Sequence, residues 1–284
     1  RAFGAEAAVL ERHNALFLHH GDAILRLPSQ PPYATVDYAG FCSLLQSQSD
    51  ARLVQMRARG YAPGRVSTDE GEIRCRYAVD ASGPSAVLAA SCRAGYAARR
   101  SVGAGLETEV PRPSGFPSGL HVYFGDTLPP GYGWAFGSGA TLRVGIGVFD
   151  AARHGRDLKG ALGKLSTRLG LEPGATHGGL IPLHARAPVL GELFVVGDAA
   201  GQVLPVSAEG IRPALHYGDL VGRLLAGVLE GRLALYEARR RYVRELQRRR
   251  WGYGVLGQVQ VLMASRPDLT GRVLQALTHR GVSQ

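Results

Sequence analysis

The sequence predicts a mixed α/β protein with an antiparallel β-sheet region and a helical C-terminal tail. A short apolar strand, Leu193–Val196, ends at a Gly-Asp pair, and a strongly periodic helix follows it over residues 210–229. Between residues 98 and 150, short apolar segments alternate with Gly and Pro, which is typical of antiparallel strands. The last fifty residues have a helical pattern and are rich in arginine.

The earlier elements follow from local patterns. Two strand-like stretches, ALFL and AILRL, flank a turn at residues 20–22, and a second hairpin turn lies at 68–73. Residues 39–53 and 157–170 have helical spacing, and residues 77–81 form an apolar strand. For the helix at 210–229 we expect one packed face, on which two glycines would allow a close approach to the sheet. That face consists of Ile211, Ala214, Leu215, Gly218, Val221, Gly222 and Leu225.

Composition limits the class of protein. A chain of 284 residues with 45% hydrophobic and 20% charged residues is neither disordered nor fibrous, and its length corresponds to about two domains. No apolar run approaches the roughly 18 residues that cross a bilayer, and we find no secretory signal. Three cysteines without C-x-x-C spacing argue against a disulfide framework or a zinc site, so we expect a reducing, cytoplasmic compartment. Because the chain starts at Arg1, we expect that N-terminal sequence is missing.

The chain is strongly basic, with 33 basic and 23 acidic residues, and nearly all the basic residues are arginine. This excess has two interpretations, a bias toward Arg codons or attraction to an anionic partner. The Arg-rich segment 232–250 is either a solvated helix face or a contact for a membrane or a polyprenyl diphosphate, with Trp251 placed to enter an interface. No recognised DNA- or RNA-binding motif accompanies the charge, so we expect no nucleic-acid partner.

The most informative segment is FVVGDAAGQVLPVSAEGIRPAL, residues 194–215. It predicts a buried strand, an acidic residue at its carboxyl end, a turn of small residues, and a helix that begins near Gly210. Ligands of α/β proteins bind at the carboxyl ends of strands, and small residues let the backbone approach them closely. A helix N-terminus offers free N–H groups and a positive dipole end. The segment therefore predicts a ligand site.

Residues 197–215 resemble the second flavin-binding motif of FAD-dependent oxidoreductases with the p-hydroxybenzoate hydroxylase-like fold, in particular the geranylgeranyl reductase family. This resemblance implies that Asp198 binds the ribityl chain of FAD and that Pro205 lies beside the flavin. The turn around Gly210 would present N–H groups to the flavin ring and stabilise negative charge there. The cofactor-binding residues implied here are Gly197, Asp198, Ala199, Gly201, Pro205, Glu209, Gly210 and Ile211.

Two more segments resemble the same family in the same order. AVDASGPSAVL, residues 78–88, is similar to a strand-turn element that supports the flavin, with Asp80, Gly83 and Ser85 at the matching positions. GYGWAFGSGATLRVGIGVF, residues 131–149, is similar to an aromatic hairpin, and it implies that Tyr132 and Trp134 contact the substrate. Taken alone, these segments are also compatible with an ordinary capped turn and a core hairpin.

The sequence also departs from the family pattern. The family begins with a βαβ unit carrying G-x-G-x-x-G, which is absent here. Glu11 is either the acidic residue that closes such a unit, or it belongs to a strand region beyond it, which we favour. At three further positions the residue differs from the usual one: Tyr38 replaces Arg, Ala208 replaces Gly, and Gly137 replaces Pro.

The resemblance implies a fold without the N-terminal βαβ unit. The predicted divisions are a partial FAD-binding domain (1–97), a β-sheet substrate domain (98–185), the strand and helix of the Gly-Asp motif (186–228) and a helical tail (229–284). The implied activity is FAD-dependent reduction of isoprenoid C=C bonds, with electrons from a reduced nicotinamide or a ferredoxin-type donor. The alternatives are a flavin monooxygenase or halogenase, a carotenoid-type cyclase, and a truncated, non-catalytic remnant. No residue can be assigned as proton donor.

The nine histidines show no metal-ligand spacing, so no metal site is expected. We interpret His19 and His20 as surface or turn residues.

Overall fold

Strands and helices account for most of the chain that the computed structural model describes, namely residues 3–98, 102–125, 128, 130–266, 272 and 276. The helices are α1 (Tyr38–Ser47), α2 (Val87–Cys92), α3 (Ala151–His154), α4 (Leu158–Arg168), α5 (Ile211–Leu229) and α6 (Leu235–Ser265). The strands are β1 (Val9–His20), β2 (Ala23–Val36), β3 (Ala58–Ala62), β4 (Arg65–Thr68), β5 (Gly71–Arg74), β6 (Ala78–Asp80), β7 (Val102–Pro111), β8 (Leu120–Phe124), β9 (Gly131–Ser138), β10 (Thr141–Val148), β11 (Thr176–Pro182), β12 (Val189–Leu190) and β13 (Leu193–Val195).

The chain divides into two units, and the first comprises residues 1–53, 104–179 and 263–284. It contains a seven-stranded sheet in the order β11-β7-β10-β9-β8-β1-β2. Strands β7 to β10 arise from the Gly- and Pro-punctuated region, and β10 pairs antiparallel with both β7 and β9, as predicted. Strand β8 also pairs in parallel with β1.

The core of the first unit lies between its sheet and α4. Every second residue of β10 from Leu142 to Val148 is buried, as expected for a strand with one covered face. Helix α4 buries residues at helical spacing against this face, including Leu158, Leu162 and Leu165.

The second unit comprises residues 54–103 and 180–262. Its site-bearing sheet has the order β12-β13-β6, and β13 runs parallel to β6 with Val195 opposite Asp80. All three residues of β13 are fully buried, because hydrophobic clusters cover both faces of the strand. A separate antiparallel sheet, β3-β4-β5, contains the hairpin predicted at residues 68–73.

Helix α5 has the predicted bounds, but its packed face matches the prediction only in part: Val221 is buried and Leu225 packs against the core as expected. Its buried residues are Pro213, Tyr217, Val221, Leu224, Gly227 and Val228, whereas Ile211 is exposed. A methyl group added at Gly218 or Gly222 would meet no atom within 4 Å, so neither glycine mediates a close approach. The predicted face is rotated about the helix axis from the observed one, because the prediction did not include Tyr217, whose large ring is buried on the packed side.

The predicted division placed residues 1–97 in one partial FAD-binding domain. In the structure, residues 9–36 belong to the first unit. Strands β1 and β2 join the sheet of the first unit, because β1 pairs with β8. Glu11 therefore lies in the strand region, which is the alternative that we favoured. The predicted tail is helical through α6, and its end lies outside the described residues apart from positions 272 and 276.

Helix α1 is shorter than the predicted 39–53. Its first turn is capped by Asp37, whose carboxylate accepts from the Gly40 N–H at 3.1 Å. It ends at Ser47, where two hydroxyl groups bond to nearby backbone: Ser47 donates to the Leu44 carbonyl, and Ser49 accepts from the N–H two residues on. Such local bonds compete with continuation of a helix.

Within the described residues, none of the helices combines the length and the apolar character that a membrane span requires.

Candidate functional site

The candidate site lies where β13 ends in the second unit. After Val195 the chain enters a 3₁₀ turn, Gly197–Ala200, and leaves it at Gly201. Gly197 and Gly201 both have left-handed backbone conformations, with φ of 60° and 63°. A methyl group at Gly201 would lie 1.9 Å from the His184 carbonyl oxygen, so this path of the backbone requires glycine.

Two aspartates follow the two parallel strands, and their environments differ. The carboxylate of Asp80, at the end of β6, is buried and accepts from the Ser82 hydroxyl at 2.6 Å, the Ser82 N–H at 3.0 Å and the Ala89 N–H at 2.8 Å. Asp198 is half-buried, and its carboxylate accepts no hydrogen bond within the part of the chain that the structure describes. Asp80 therefore stabilises a turn, whereas Asp198 is available to a ligand.

Asp198 lies against the N-terminus of α5. A methyl group on Gly210 would come within 3.1 Å of Asp198 Oδ1, so glycine leaves room for this carboxylate. Burial raises the pKa of Asp198, and the Arg186 guanidinium partly offsets this by lowering it. The N-cap residue of α5 is Gly210, which has no side chain that could cap the first turn. Glu209 forms an ion pair with Arg212 just beside this turn.

The loop that leads into α5 contains two strained residues. Val206 and Ala208 adopt left-handed conformations with φ of 70° and 54°, which are unfavourable for residues with a Cβ atom and especially for β-branched valine. A bridge between Leu204 and Glu209 closes the loop around Pro205. Because glycine adopts a left-handed conformation without strain, the φ of Ala208 explains why a glycine is expected at that position. Backbone strain of this kind concentrates at functional sites.

Arg186 is a site residue that the sequence analysis missed. Its guanidinium donates from Nη1 to the Pro84 carbonyl at 2.9 Å and to the Ala199 carbonyl at 3.3 Å. It therefore joins the turn after β6 to the turn after β13, next to Asp198. Arg186 stands outside any recognised motif, so only its position in the fold reveals this role.

Two more residues that the sequence analysis did not identify, Gln202 and Tyr242, stabilise the 3₁₀ turn after β13 by hydrogen bonds. The Gly197 N–H donates to Gln202 Oε1 at 2.7 Å, and Gln202 Nε2 donates to the Tyr242 hydroxyl at 2.7 Å. The Tyr242 hydroxyl in turn donates to the Val195 carbonyl at 2.6 Å. Gln202 and Tyr242 are fully buried, so α6 fixes the end of the site-bearing strand through a closed polar network.

The turn predicted around Gly83 is present. Gly83 has a φ of 70°, and a methyl group there would meet no atom within 4 Å. The N-terminal cap of α2 is supplied by Ser82, whose hydroxyl accepts from the Val87 N–H at 2.7 Å. Ser85, the third of the matching positions, lies in the 3₁₀ turn that precedes α2.

The aromatic hairpin predicted to contact substrate is formed by β9 and β10 of the first unit. The Trp134 indole lies flat on Gly145, where a methyl group would be 2.1 Å from Cζ2, and its Nε1 donates to Glu107 at 2.7 Å. The Tyr132 ring lies 6.0 Å from that of Trp134 and likewise from that of Phe149. Together these rings form an apolar surface, and the Glu107 carboxylate holds the Trp134 ring of that surface in one orientation.

The first unit also explains one departure from the family pattern. Arg112 Nη1 donates to both carboxylate oxygens of Glu11, at 2.9 and 2.8 Å. A methyl group at Gly137 would lie 2.7 Å from Glu11 Oε2 and 2.9 Å from Arg112 Nη1. Gly137 thus leaves room for this ion pair. Tyr38, at the position of a family arginine, begins α1 and is exposed.

The interpretation of His19 as a surface or turn residue is wrong. Its Nε2 lies 2.9 Å from Nδ1 of the buried His121, and its ring stacks on Tyr123 with a centroid distance of 4.5 Å. Burial, followed by the proximity of His121 and Arg168, lowers the pKa of His19 to about 4. The pairing of β1 with β8 brings His19 beside His121 and Tyr123, and the local sequence does not identify that partner strand.

No protein-family model matches the chain. Two curated relatives are similar over part of it. Digeranylgeranylglycerophospholipid reductase from Methanococcus aeolicus is 35% identical over 115 residues, which are 37% of this chain and 28% of that protein. Chloroplastic geranylgeranyl diphosphate reductase from Oryza sativa is 34% identical over 151 residues, 49% of this chain and 32% of that protein. The chain thus spans about a third of the length of these relatives.

Solved structures show the fold over nearly the whole chain. A geranylgeranyl bacteriochlorophyll reductase-like protein from Thermoplasma acidophilum superposes with a TM-score of 0.82 at 16% identity, covering 96% of this chain and 76% of that one. The myxobacterial halogenase CndH, described as FAD-dependent, has a TM-score of 0.65 at 17% identity, covering 91% and 68%. The resemblance predicted from the motifs is therefore confirmed: the chain is similar in sequence to geranylgeranyl reductases, and it has the α/β fold of a geranylgeranyl bacteriochlorophyll reductase-like protein and of an FAD-dependent halogenase.

Proposed function

We propose that the protein is an FAD-dependent oxidoreductase that reduces C=C bonds of an isoprenoid substrate. One observation supports the flavin site most strongly. Of the two aspartates that follow the parallel strands, only Asp198 has a carboxylate that accepts no hydrogen bond from the described residues, and it lies beside Gly210 at the start of α5.

The residues present fit a flavin. The carboxylate of Asp198 can accept hydrogen bonds from the hydroxyl groups of the ribityl chain, while the positive dipole end of α5 suits an electron-rich ring edge. Gly210 leaves space beside Asp198 that any side chain would fill. In this proposal Gly197, Ala199 and Gly201 shape the turn, and Pro205, Glu209 and Ile211 border the ring. Asp80 and Gly83 act indirectly by supporting the neighbouring turn.

Reduced FAD, when bound, supplies the hydride for such a reduction. The protein binds the isoprenoid, orients it and excludes water. Tyr132 and Trp134 provide an apolar aromatic wall that suits a prenyl chain. Glu107 holds the Trp134 indole by its hydrogen bond, so the wall keeps one shape. The helix dipole at the start of α5 would stabilise negative charge on a bound flavin ring.

Flavin-dependent halogenation is the second candidate, because a halogenase shares the fold. The sequence similarity to named geranylgeranyl reductases, which extends over up to half of this chain, favours reduction.

The first test is flavin binding by the full chain. We expect FAD to bind with a shifted absorption band, and Asp198→Asn to weaken binding about tenfold, because an amide is a poorer acceptor than a carboxylate. Asp219→Asn is the matched control, since Asp219 pairs with Arg223 on the outer side of α5 and its loss should leave binding unchanged. A chain that binds no flavin would instead be a non-catalytic remnant.

The second test is product mass, with reduced flavin and a geranylgeranyl lipid, first under anaerobic conditions and then, in a separate reaction, with halide and oxygen added. Reduction adds two hydrogens for each saturated bond, cyclisation leaves the mass unchanged, and a halogenase adds halogen only with halide and oxygen present. A product of unchanged or halogenated mass would overturn the proposed reduction.

We further propose a reduced nicotinamide or a ferredoxin-type protein as electron donor, a cytoplasmic location, and work at a membrane surface, where isoprenoid lipids reside. Cys42, Cys75 and Cys92 are not paired with one another in disulfide bonds.

A further inference from the structure

One face of α6 changes in character along its length. With 100° per residue, seven side chains of this helix lie within a sector of about 100° that extends over about 33 Å. The first three are arginines and the last four are apolar, and all seven are exposed. They are Arg240, Arg244, Arg248, Trp251, Val255, Val259 and Leu262. We call this surface the α6 face.

The basic half of the α6 face borders a groove of about 620 Å³. Besides the three arginines, its lining includes Leu220 of α5 and, on α6, a fourth arginine, a tyrosine and two glutamates: Arg241, Tyr236, Glu237 and Glu245. Arg240 and Arg244 form no ion pair with a carboxylate in the described ranges, and Arg248 lies 3.7 Å from Glu245. These guanidinium groups are spaced about one helical turn apart and are largely unpaired. They can therefore bind a row of phosphate groups.

The apolar half continues the same stripe. The Trp251 side chain is 81% exposed, and Leu262 is 47% exposed. On the opposite side, Tyr242 and Gln260 are buried, so the packed side of the helix is already defined. Tryptophan at the boundary between charged and aliphatic residues is typical of a membrane interface.

We propose that the α6 face docks on the surface of an anionic phospholipid membrane, with its arginines bound to lipid phosphates and Trp251 inserted among the headgroups. This inference deepens the proposed work at a membrane surface by naming the surface that makes the contact. Basic residues near anionic lipids and buried apolar side chains add to one binding free energy. A nucleic acid would engage the arginines but would leave the apolar half exposed to water, so a membrane fits both halves.

The test uses the full chain and phosphatidylcholine vesicles with or without phosphatidylserine. We expect sedimentation with the anionic vesicles only, and a decrease in binding as salt rises. The triple variant Arg240→Gln, Arg244→Gln, Arg248→Gln should reduce partitioning about tenfold or more. The matched control removes the same charge from the exposed residues Arg26, Arg52 and Arg57, and it should retain most of the binding.

A separate readout concerns Trp251. Lipids brominated near the headgroup should quench part of the tryptophan emission, and Trp251→Phe should abolish that part, because the other tryptophan, Trp134, lies in the sheet of the first unit. The variant Val255→Ser, Val259→Ser should weaken vesicle binding without changing the oligomeric state. All these side chains are exposed, so folding should persist and can be checked by circular dichroism.

Four results would overturn the inference: equal binding to neutral vesicles, an equal loss in the control triple variant, binding of DNA or inorganic diphosphate without binding of vesicles, or serine variants that alter only self-association. Vesicle binding needs neither flavin nor isoprenoid. A failure here therefore leaves the proposed reduction intact, and a failure to reduce isoprenoids leaves the docking face intact.

Discussion

The Tyr242 hydroxyl of α6 donates to the Val195 carbonyl at the end of β13, over a distance of 2.6 Å. The two residues are 47 positions apart in the chain, and both are fully buried. Because Gln202 links the same hydroxyl to the Gly197 N–H, this contact fixes the backbone from which Asp198 projects. A helix outside the recognised motif thus determines the geometry of the candidate flavin site.

Replacing Tyr242 by Phe should destabilise the protein by about 1–3 kcal/mol, because the Val195 carbonyl and Gln202 Nε2 would lose their partner in a dry environment. Urea unfolding measures this change. Tyr236→Phe, at a residue with a 67% exposed side chain, is the matched control and should change stability by less than about 0.5 kcal/mol. Equal effects of the two variants would contradict the assigned role of Tyr242.

Replacing Ala208 by Gly should not destabilise the protein, although Gly usually costs about 1 kcal/mol relative to Ala. At a φ of 54° the removal of the Cβ relieves steric strain of about 1 kcal/mol, which offsets the larger entropy of the unfolded chain. Ala226→Gly, at an exposed position of α5, should show the ordinary loss of about 1 kcal/mol. Thermal unfolding of the two variants compares these costs, and a similar loss in both would argue against strain at Ala208.

Replacing Arg186 by Gln should raise the pKa of Asp198 further, because burial already raises it and the guanidinium is the group that lowers it. A carboxyl whose pKa is raised on folding contributes stability below its ordinary value of 3.8 and loses that contribution as pH rises through its folded pKa. The variant should therefore lose stability with rising pH over a wider range than the parent. Carboxyl NMR titration and unfolding between about pH 3.5 and 7 measure this.

Asp198→Asn in the Arg186→Gln background should remove this pH dependence, while the pH-independent cost of the lost bonds to Pro84 and Ala199 should remain. A titration of Asp198 that stays the same without Arg186 would show that the two groups do not interact.

What the sequence could predict depends on how local the signal is. The strand at 193–195, helix α5 and the hairpin at 131–148 have strong local patterns, and the structure confirms them. Arg186 and Tyr242 carry no such signal, because their role arises only when distant backbone carbonyls meet in the fold. The same limit applies to the packed face of α5. The predicted face includes glycine and alanine at helical spacing, but the burial of Tyr217 in the fold determines which side of the helix is packed.

Replacing Gly137 by Ala should destabilise the first unit by about 1–2 kcal/mol, because the new methyl group would displace the half-buried pair of Glu11 and Arg112. The matched control is Gly163→Ala in α4, where a methyl group meets no atom within 4 Å. That variant should stabilise the helix by up to about 1 kcal/mol. Denaturant unfolding should move in opposite directions for the two variants. A stabilising Gly137→Ala would show that the ion pair moves at no cost.

Acid should destabilise the protein in part through His19. Its pKa falls from the usual 6.5 to about 4 on folding, mainly through burial and then through His121. Between about pH 6.5 and 4, His19 binds a proton in the unfolded chain but not in the folded chain. The free energy of unfolding therefore falls as pH falls from about 6.5 toward 4. His19→Gln removes this difference in proton binding and should flatten the profile of unfolding free energy over that range.

His154→Gln is the matched control for His19, because His154 lies at the end of α3 and takes no part in the contact between His19 and His121, and an equal flattening in this variant would contradict the role assigned to His19. An NMR titration of the imidazole of His19 gives a direct check. A midpoint near 6.5 would mean that its ring is solvated and that the contact with His121 does not restrict its protonation. A midpoint near 4, together with a parallel flattening in His121→Gln, would locate part of the acid sensitivity of the first unit in this histidine pair.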